Sequence, residues 1–333
     1  MRVLVVGGTG FLGGAITAAA LGAGHEVTVL SRRGQGLPPG ARHLAMDRHE
    51  GRPIPAPFDW VLDTCAFTPG DVTGLMDALP EPPARYVFAS SISAYPGFAA
   101  PGLDETADVP PASPETVAEV EATPPDQRSA AGLAALYGPL KRATELAAEA
   151  RLGSRATALR LGLLVGPGDP TGRFTFWVRR IDLAGAGGTV PVPAPPEAPV
   201  QIIDMRDAAR FALQAAASGL GGIWNVTGRG VPRREVFGEI ARVAGTTPDW
   251  RWVTAAQMDA AGVAPWSDMP LALPDAPDFA HMMALSTAKA EAAGLVLRPL
   301  GETIADILAH DRAARAQPLK AGMSAAQEAA LLA

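Results

Sequence analysis

The stretch MRVLVVGGTGFLGG, residues 1–14, decides the fold. Val3–Val6 is a short apolar run ended by glycine, which reads as a buried strand. Phe11–Leu21 carries small residues on one face and reads as a helix. Gly7, Gly10 and Gly13 stand three apart between them. Without side chains they let the backbone turn sharply and approach a pyrophosphate, while the helix N-terminus presents free N–H groups and partial positive charge. A bare glycine triplet is a weak signal, but the strand before it and the helix behind it supply the context it needs. Gly7, Thr9, Gly10, Phe11, Leu12 and Gly13 are therefore the expected dinucleotide-binding residues.

Outward from this segment the pattern repeats. His25–Leu30, Trp60–Leu62, Tyr86–Ala89 and Ala156–Leu161 read as further buried strands, with helical stretches around Val72–Leu79 and Leu133–Ala150 between them. This alternation predicts an α/β fold of the Rossmann type, a doubly wound parallel sheet with a smaller, mainly helical C-terminal substrate lobe. Residues 1–166 plus about 200–228 are assigned to the dinucleotide-binding domain, and 167–199 plus 229–333 to the substrate lobe. Gly97–Arg128 is rich in Pro, Asp, Glu and Thr and breaks the alternation as a surface excursion, with a short helix at Glu115–Ala122. Gly185–Pro199 reads as a Gly/Pro loop, and Val231–Ala333 as mostly helical, closed by a capping box at Ser324-Ala-Ala-Gln327.

Composition narrows the function. Hydrophobic residues make up 48% and charged residues 19% of 333 residues, as in a globular chain. The net charge of −6, with no basic block, argues against nucleic acid or an anionic membrane as partner. No apolar run reaches the length of a membrane span. The single cysteine, Cys65, and a first strand beginning at Arg2 set the expectation of a cytoplasmic protein without a signal peptide or a disulfide framework. Cys65 and the five histidines show no metal-ligand spacing, so no metal is expected.

The end of the second strand chooses the cofactor. NAD sites usually place a carboxylate there for the ribose 2′-hydroxyl, but this chain has Ser31-Arg32-Arg33. Two guanidinium groups suit a 2′-phosphate, so NADP(H) is expected in preference to NAD(H). Asp47 either accepts a hydrogen bond from the adenine amino group or is an ordinary loop aspartate. Further along, Tyr137-Gly-Pro-Leu-Lys141 places a tyrosine and a lysine on one helical face, in a chain with only three tyrosines and three lysines. The Lys141 ammonium is then expected to depress the Tyr137 pKa and to hold the nicotinamide ribose, while Tyr137 exchanges a proton with a carbonyl or alcohol oxygen. A hydroxyl is expected at a strand end, and FASSISAY, residues 88–95, supplies three serines.

With these motifs assembled, the chain resembles the extended short-chain dehydrogenase/reductase family, also called the NAD-dependent epimerase/dehydratase family. The resemblance rests on GGTGFLG, FDWVLDTCAF, FASSISAY, YGPLKRATE, RLGLLVGPGD, IIDMRDAA and IWNVTG, and covers most of the chain. It implies that Ser91 is the catalytic serine beside Tyr137 and Lys141, with Ser90 and Ser93 as neighbours. It implies a homodimer packed through helices that include the Tyr/Lys helix, and a cleft between two lobes. There are departures. The stretch between Ser91 and Tyr137 is longer than in most relatives, so Gly97–Arg128 is either a lid over the cleft or an inert loop. Where family dehydratases carry acidic residues after the Ser/Thr, Ile92 and Ser93 stand here. Sugar-nucleotide epimerases usually keep NAD bound, against which Arg32 and Arg33 speak.

For the substrate side, Trp177 and Trp266 are the pocket candidates among five tryptophans beyond Gly166, most of which should be core. Phe67 should lie near the nicotinamide; Cys65 is a further candidate cofactor-binding residue and Ser93 a further candidate substrate residue. Arg173, Arg179 and Arg180 are the cations able to take a diphosphate. These residues predict an NADPH-dependent enzyme that reduces a carbonyl, or oxidises an alcohol, of a small metabolite. A sugar-nucleotide epimerase with tightly bound NAD, and a non-catalytic NAD(P)-sensing regulator or binding protein, are the rival readings.

Overall fold

The computed structural model describes residues 1–128 and 132–333. Six strands, β1 (Arg2–Val6), β2 (Glu26–Ser31), β3 (Arg42–Ala45), β4 (Trp60–Asp63), β5 (Arg85–Ser91) and β6 (Ala156–Leu161), join the strand Gly222–Val226 in one sheet. All pairings are parallel, in the order Gly222–Val226, β6, β5, β4, β1, β2, β3. The order reverses beside β1, which pairs with β2 on one side and β4 on the other; ligands of open α/β sheets bind at such a switch point.

Strand periodicity explains how one run serves two faces. Val3 and Val5 of β1 pack with Ile16 and Ala20 of α1 (Phe11–Gly22), whereas Leu4 and Val6 pack with Val72 and Leu75 of α2 (Pro69–Ala78). Two further helices are α3 (Pro114–Ala122) and α4 (Ala134–Leu152). Ala148 of α4 joins the α2 side, and Phe211 and Ala212 of the helix Met205–Ala217 join the α1 side. Each such side chain taken wholly out of water contributes roughly 1.5–3 kcal/mol.

The expected strands and helices are present, with boundaries shifted by a few residues. Two strands of this sheet were missed. Arg42–Ala45 is an edge strand with mostly exposed side chains, and Gly222–Val226 carries a tryptophan and an asparagine that mask its apolar content. The expected Gly/Pro loop at 185–199 is corrected: Ala186–Pro193 is a strand, paired in parallel with Thr247–Val253. Val190 and Val192 are fully buried, and the intervening prolines are tolerated because a two-stranded sheet consists of edges. The region after Gly228 is thus helical around a β pair. Its core joins Phe174, Val178 and Ile181 of the helix Arg173–Ala184 to Phe237, Ile240, Ile304 and Ile307.

Trp177 is likewise corrected as a pocket residue. It is fully buried in that core, donating its indole N–H to the Pro270 carbonyl at 2.8 Å and packing on Phe237. The last helix, Ala325–Leu332, has the expected cap: the Gln327 N–H donates to Ser324 Oγ and the Ser324 N–H to Gln327 Oε1. No helix among the described residues is long and apolar enough to cross a membrane.

The described excursion 97–128 is docked at both ends. The Phe98 N–H donates to Asp278 O at 2.8 Å, the His281 N–H to Phe98 O at 2.9 Å, and the Gly102 N–H to Ala284 O at 2.7 Å. Ile92, Tyr95, Phe98, Val109 and Leu285 form a small core beneath it. Its other end meets α4, where the Ala112 N–H donates to Pro139 O at 2.9 Å.

Candidate active site and cofactor cavity

The glycine loop turns tightly between β1 and α1. Gly7 has φ of 77°, a region that favours glycine, and the Gly10 N–H donates to its carbonyl at 3.0 Å. A Cβ on Gly13 would lie 2.1 Å from Gly7 O, so α1 can start this close to the loop only with glycine there. A cavity of about 640 Å³ lies against this loop. Gly7, Thr9 and Gly10 line one end, Ser31, Arg32, Arg33 and Gln35 another, and Met46, Asp47, Arg48, His49 and Cys65 the remaining wall. Thr9, Gly10 and Phe11 also border an adjoining groove that runs to Pro167, Gly168 and Met205. Leu12 instead packs into the core under α1.

The charges around this cavity are arranged unevenly. Arg48 is consumed internally by a bidentate pair with Asp63, both oxygens at 2.9 Å, and both side chains are buried. Asp63 also accepts from the Tyr86 hydroxyl at 3.0 Å. His49 bridges Asp47 and Asp71, each ring nitrogen 2.8 Å from a carboxylate oxygen. The backbone hydrogen bond from His49 holds the Asp47 carboxyl below the usual carboxylate range, helped by the charges of His49 and Arg32. Arg32 and Arg33 are exposed at the cavity mouth and carry no ion pair among the described residues. Ser31 Oγ donates to Arg33 O at 2.9 Å and so shapes that turn. Cys65 Sγ sits against Gly7, where a Cβ would meet it at 2.3 Å, and burial around it pushes the thiol pKa up.

The Tyr/Lys pair lies on α4, with its lysine turned inward. Lys141 Nζ is buried and donates to Ala66 O at 2.6 Å and Ala89 O at 2.8 Å. It lies 5.7 Å from the Tyr137 ring centroid. The Phe67 ring lies 5.6 Å from that of Tyr137. Ser91 ends β5 and its Oγ accepts the Ser93 N–H at 3.1 Å. Gly138 brings the two elements together: a Cβ there would lie 1.8 Å from Ser93 O. Ser91 and Tyr137 thus flank one tight helix-to-turn contact, and Lys141 is tied to the carbonyl two residues before Ser91. Ser93 is exposed beside them.

Residues 3–73 match the family model described as the NAD dependent epimerase/dehydratase family. The match covers the first strand, the glycine loop and the start of the second helix. This likeness supports an NAD(P)-dependent enzyme of the oxidoreductase type. Solved structures share the fold along nearly the whole chain. A UDP-N-acetylglucosamine 4-epimerase from Methanobrevibacter ruminantium, in complex with UDP-N-acetylmuramic acid, is 16% identical with a TM-score of 0.65, covering 94% of this chain and 98% of that one. A UDP-glucose 4-epimerase from Thermus thermophilus, in complex with NAD, is 23% identical with a TM-score of 0.58, covering 94% and 100%. A human epimerase family protein with NADPH is 18% identical with a TM-score of 0.60, covering 93% and 99%. No curated protein matches.

Several residues around this family site were not singled out from the sequence. Glu145 lies one turn past Lys141, buried, and accepts from Ser90 Oγ at 2.7 Å and from Arg160 at 2.9 and 2.8 Å. Arg160 stacks on Tyr95, whose hydroxyl donates to Asn225 at 2.8 Å. A signal existed, because an arginine inside the apolar strand ATALRL must find a carboxylate. Met46, Arg48, His49 and Pro125 line the cavity without any local motif to announce them. Of the three candidate cations for a diphosphate, Arg179 pairs with Asp311 and Arg180 with Glu328. Arg173 stays half-buried, 5.1 Å over the ring of Trp266. Trp266 itself has φ of 68°, a strained value for a non-glycine residue of the kind that collects at functional sites.

Proposed function

We propose that this protein is an NADPH-dependent reductase of a small carbonyl metabolite, or the corresponding alcohol dehydrogenase. The observation that carries the reading is Lys141 Nζ tied to Ala66 O and Ala89 O beneath Tyr137, with Ser91 across the Gly138 contact. The glycine cradle and the unpaired Arg32 and Arg33 fit a dinucleotide with a 2′-phosphate: Gly7, Thr9, Gly10 and Gly13 hold the pyrophosphate, and the two arginines the phosphate. When bound, NADPH supplies the hydride equivalent. Tyr137 gives its hydroxyl proton to the carbonyl oxygen. Ser91 Oγ, which already accepts the Ser93 N–H, keeps its own proton to donate to that same oxygen and so orients it. Lys141 spends two of its three N–H bonds on carbonyls and directs the third toward a ribose hydroxyl. Phe67 forms an apolar shelf beside Tyr137.

Arg179 and Arg180 being occupied supports a small substrate over a sugar diphosphate. Arg173 over Trp266 is the cation we assign to an anionic or electron-rich substrate group. As the family resemblance implies, the working unit is a homodimer packed through helices that include α4. The deciding experiment is to denature the purified protein and identify any released nucleotide, then to titrate the native protein with NADPH and NADH. An empty protein that prefers NADPH supports the reductase. Stoichiometric bound NAD overturns it in favour of an epimerase that oxidises and re-reduces one carbon.

A further inference from the structure

We propose that the excursion 97–128 is part of the dinucleotide site, with Pro125 covering the adenosine half of the bound cofactor and setting how fast it leaves. The inference rests on the cofactor reading above. Among the described residues that line the cavity, Pro125 alone comes from beyond Cys65 in the chain. The glycine loop fixes the pyrophosphate end and Arg32 with Arg33 the ribose-phosphate end. The adenosine therefore lies along the wall made by Met46, Asp47, His49 and Cys65, and Pro125 belongs to this same cavity. A pyrrolidine ring suits the face of a base. It is apolar, brings no N–H to desolvate, and its φ is already fixed, so little freedom is lost on contact.

The chain presents Pro125 on a stapled support. Pro125–Gln127 is a single helical turn. Arg128 closes the segment behind it, donating from Nε to Thr123 O at 2.8 Å and from its terminal nitrogen to Glu121 O at 2.6 Å. Glu121 then reaches the first turn of α2, where its carboxylate accepts the Gly70 N–H at 2.6 Å. On the other side of α3, Arg142 Nε donates to Val109 O at 3.3 Å and the Ala112 N–H to Pro139 O, which fixes the excursion to the helix of Tyr137 and Lys141. A cofactor leaving past Pro125 has to displace this support, at the expense of charge-assisted hydrogen bonds. The arginine clamp and the Glu121 contact to α2 thus hold in place the segment that carries Pro125 to the cavity.

The test follows NADPH fluorescence. Wild type, Pro125→Gly and Arg128→Ala are loaded with NADPH and chased with excess NADP⁺ in a stopped-flow instrument. Both variants should release NADPH roughly ten-fold faster with little change in association, the effect expected of losing about one good contact. In wild type, hydrogen exchange across residues 121–128 should slow when NADPH is added. This second measurement holds whether or not a variant folds well. Unchanged release rates, or unchanged exchange across 121–128 on NADPH binding, overturn the proposal. Arg33→Ala separates the two levels of the argument. If wild type binds NADPH and Arg33→Ala weakens it, while the excursion results stay flat, the cofactor reading stands and this inference falls. If wild type binds neither NADPH nor NADH, both fall.

Discussion

The chemistry at Tyr137 depends on one oxygen atom. Phenylalanine in its place keeps the ring against Phe67 and leaves Lys141 on its two carbonyls, so the cofactor cradle stays intact. Tyr137→Phe should therefore reduce turnover of aldehydes and ketones by ~10²–10⁴-fold, while the NADPH dissociation constant stays within about two-fold. Retention of most of the activity would remove Tyr137 as the proton donor. At the other end of the cofactor, Arg33→Ala, or the Arg32/Arg33 double variant, should raise the NADPH dissociation constant by ~10–100-fold, the worth of a charge-assisted contact, and leave NADH unchanged. Equal losses for both dinucleotides in fluorescence titrations would mean the arginines do not touch the 2′-phosphate. These residues were legible because their spacing is local: glycines at every third position from Gly7 to Gly13, and a tyrosine and lysine four apart. Glu145, Arg160 and Glu121 were not, because each reaches a partner 15 to 55 residues away. Trp177 was misread because sequence separates a core tryptophan from a pocket tryptophan only by neighbours it cannot see.

At the scale of elements, α4 works by how closely it approaches the turn after β5. An exposed glycine inside a helix normally costs about 1 kcal/mol against alanine, so Gly→Ala in α4 would ordinarily stabilise. Gly138→Ala should do the opposite. Its Cβ would lie 1.8 Å from Ser93 O, a backbone atom that cannot rotate away, so the helix must shift. We expect a loss of about 1–3 kcal/mol, as in other overpacked sites, and a larger drop in turnover than in folding stability, because the shift separates Tyr137 from Ser91. Urea unfolding measured beside steady-state kinetics checks this, and a stabilised, fully active Gly138→Ala would contradict the contact. Strands with both faces buried were readable as apolar runs, as in β1 and β6. Arg42–Ala45 and Ala186–Pro193 were not, because an edge strand needs neither burial nor an unbroken set of N–H donors.

Over the whole molecule, the two parts of the chain are joined by buried carboxylates, and this makes acid a probe of the junction. Asp204, at the start of the helix Met205–Ala217, accepts from Arg206 at 2.9 and 2.7 Å and from Thr303 at 2.8 Å, on the helix Leu300–Ala313 of the C-terminal part. Burial alone would raise its pKa, but the hydrogen bonds from Arg206, with those from Thr303 and the charge of Arg298, outweigh it and hold the carboxyl below its ordinary value. Asp71, under the opposing effects of burial and the Arg48 charge, is also lowered. A carboxylate whose folded pKa is depressed contributes its full stabilisation above its unfolded pKa, near 4. That contribution is lost as pH falls through the lower folded value. Stability should therefore be flat between about pH 5 and 8 and decline below about pH 4. Asp204→Asn should be destabilised by about 2 kcal/mol at pH 7, less than for a fully buried pair because the Arg206 side chain is 32% exposed. The difference from wild type should shrink as pH falls below about 4, where protonation of the carboxyl in the unfolded chain begins to offset its stabilisation in the fold. A gap in unfolding free energy that stays constant from pH 7 to pH 3 would show that shape rather than charge at Asp204 holds the two parts together.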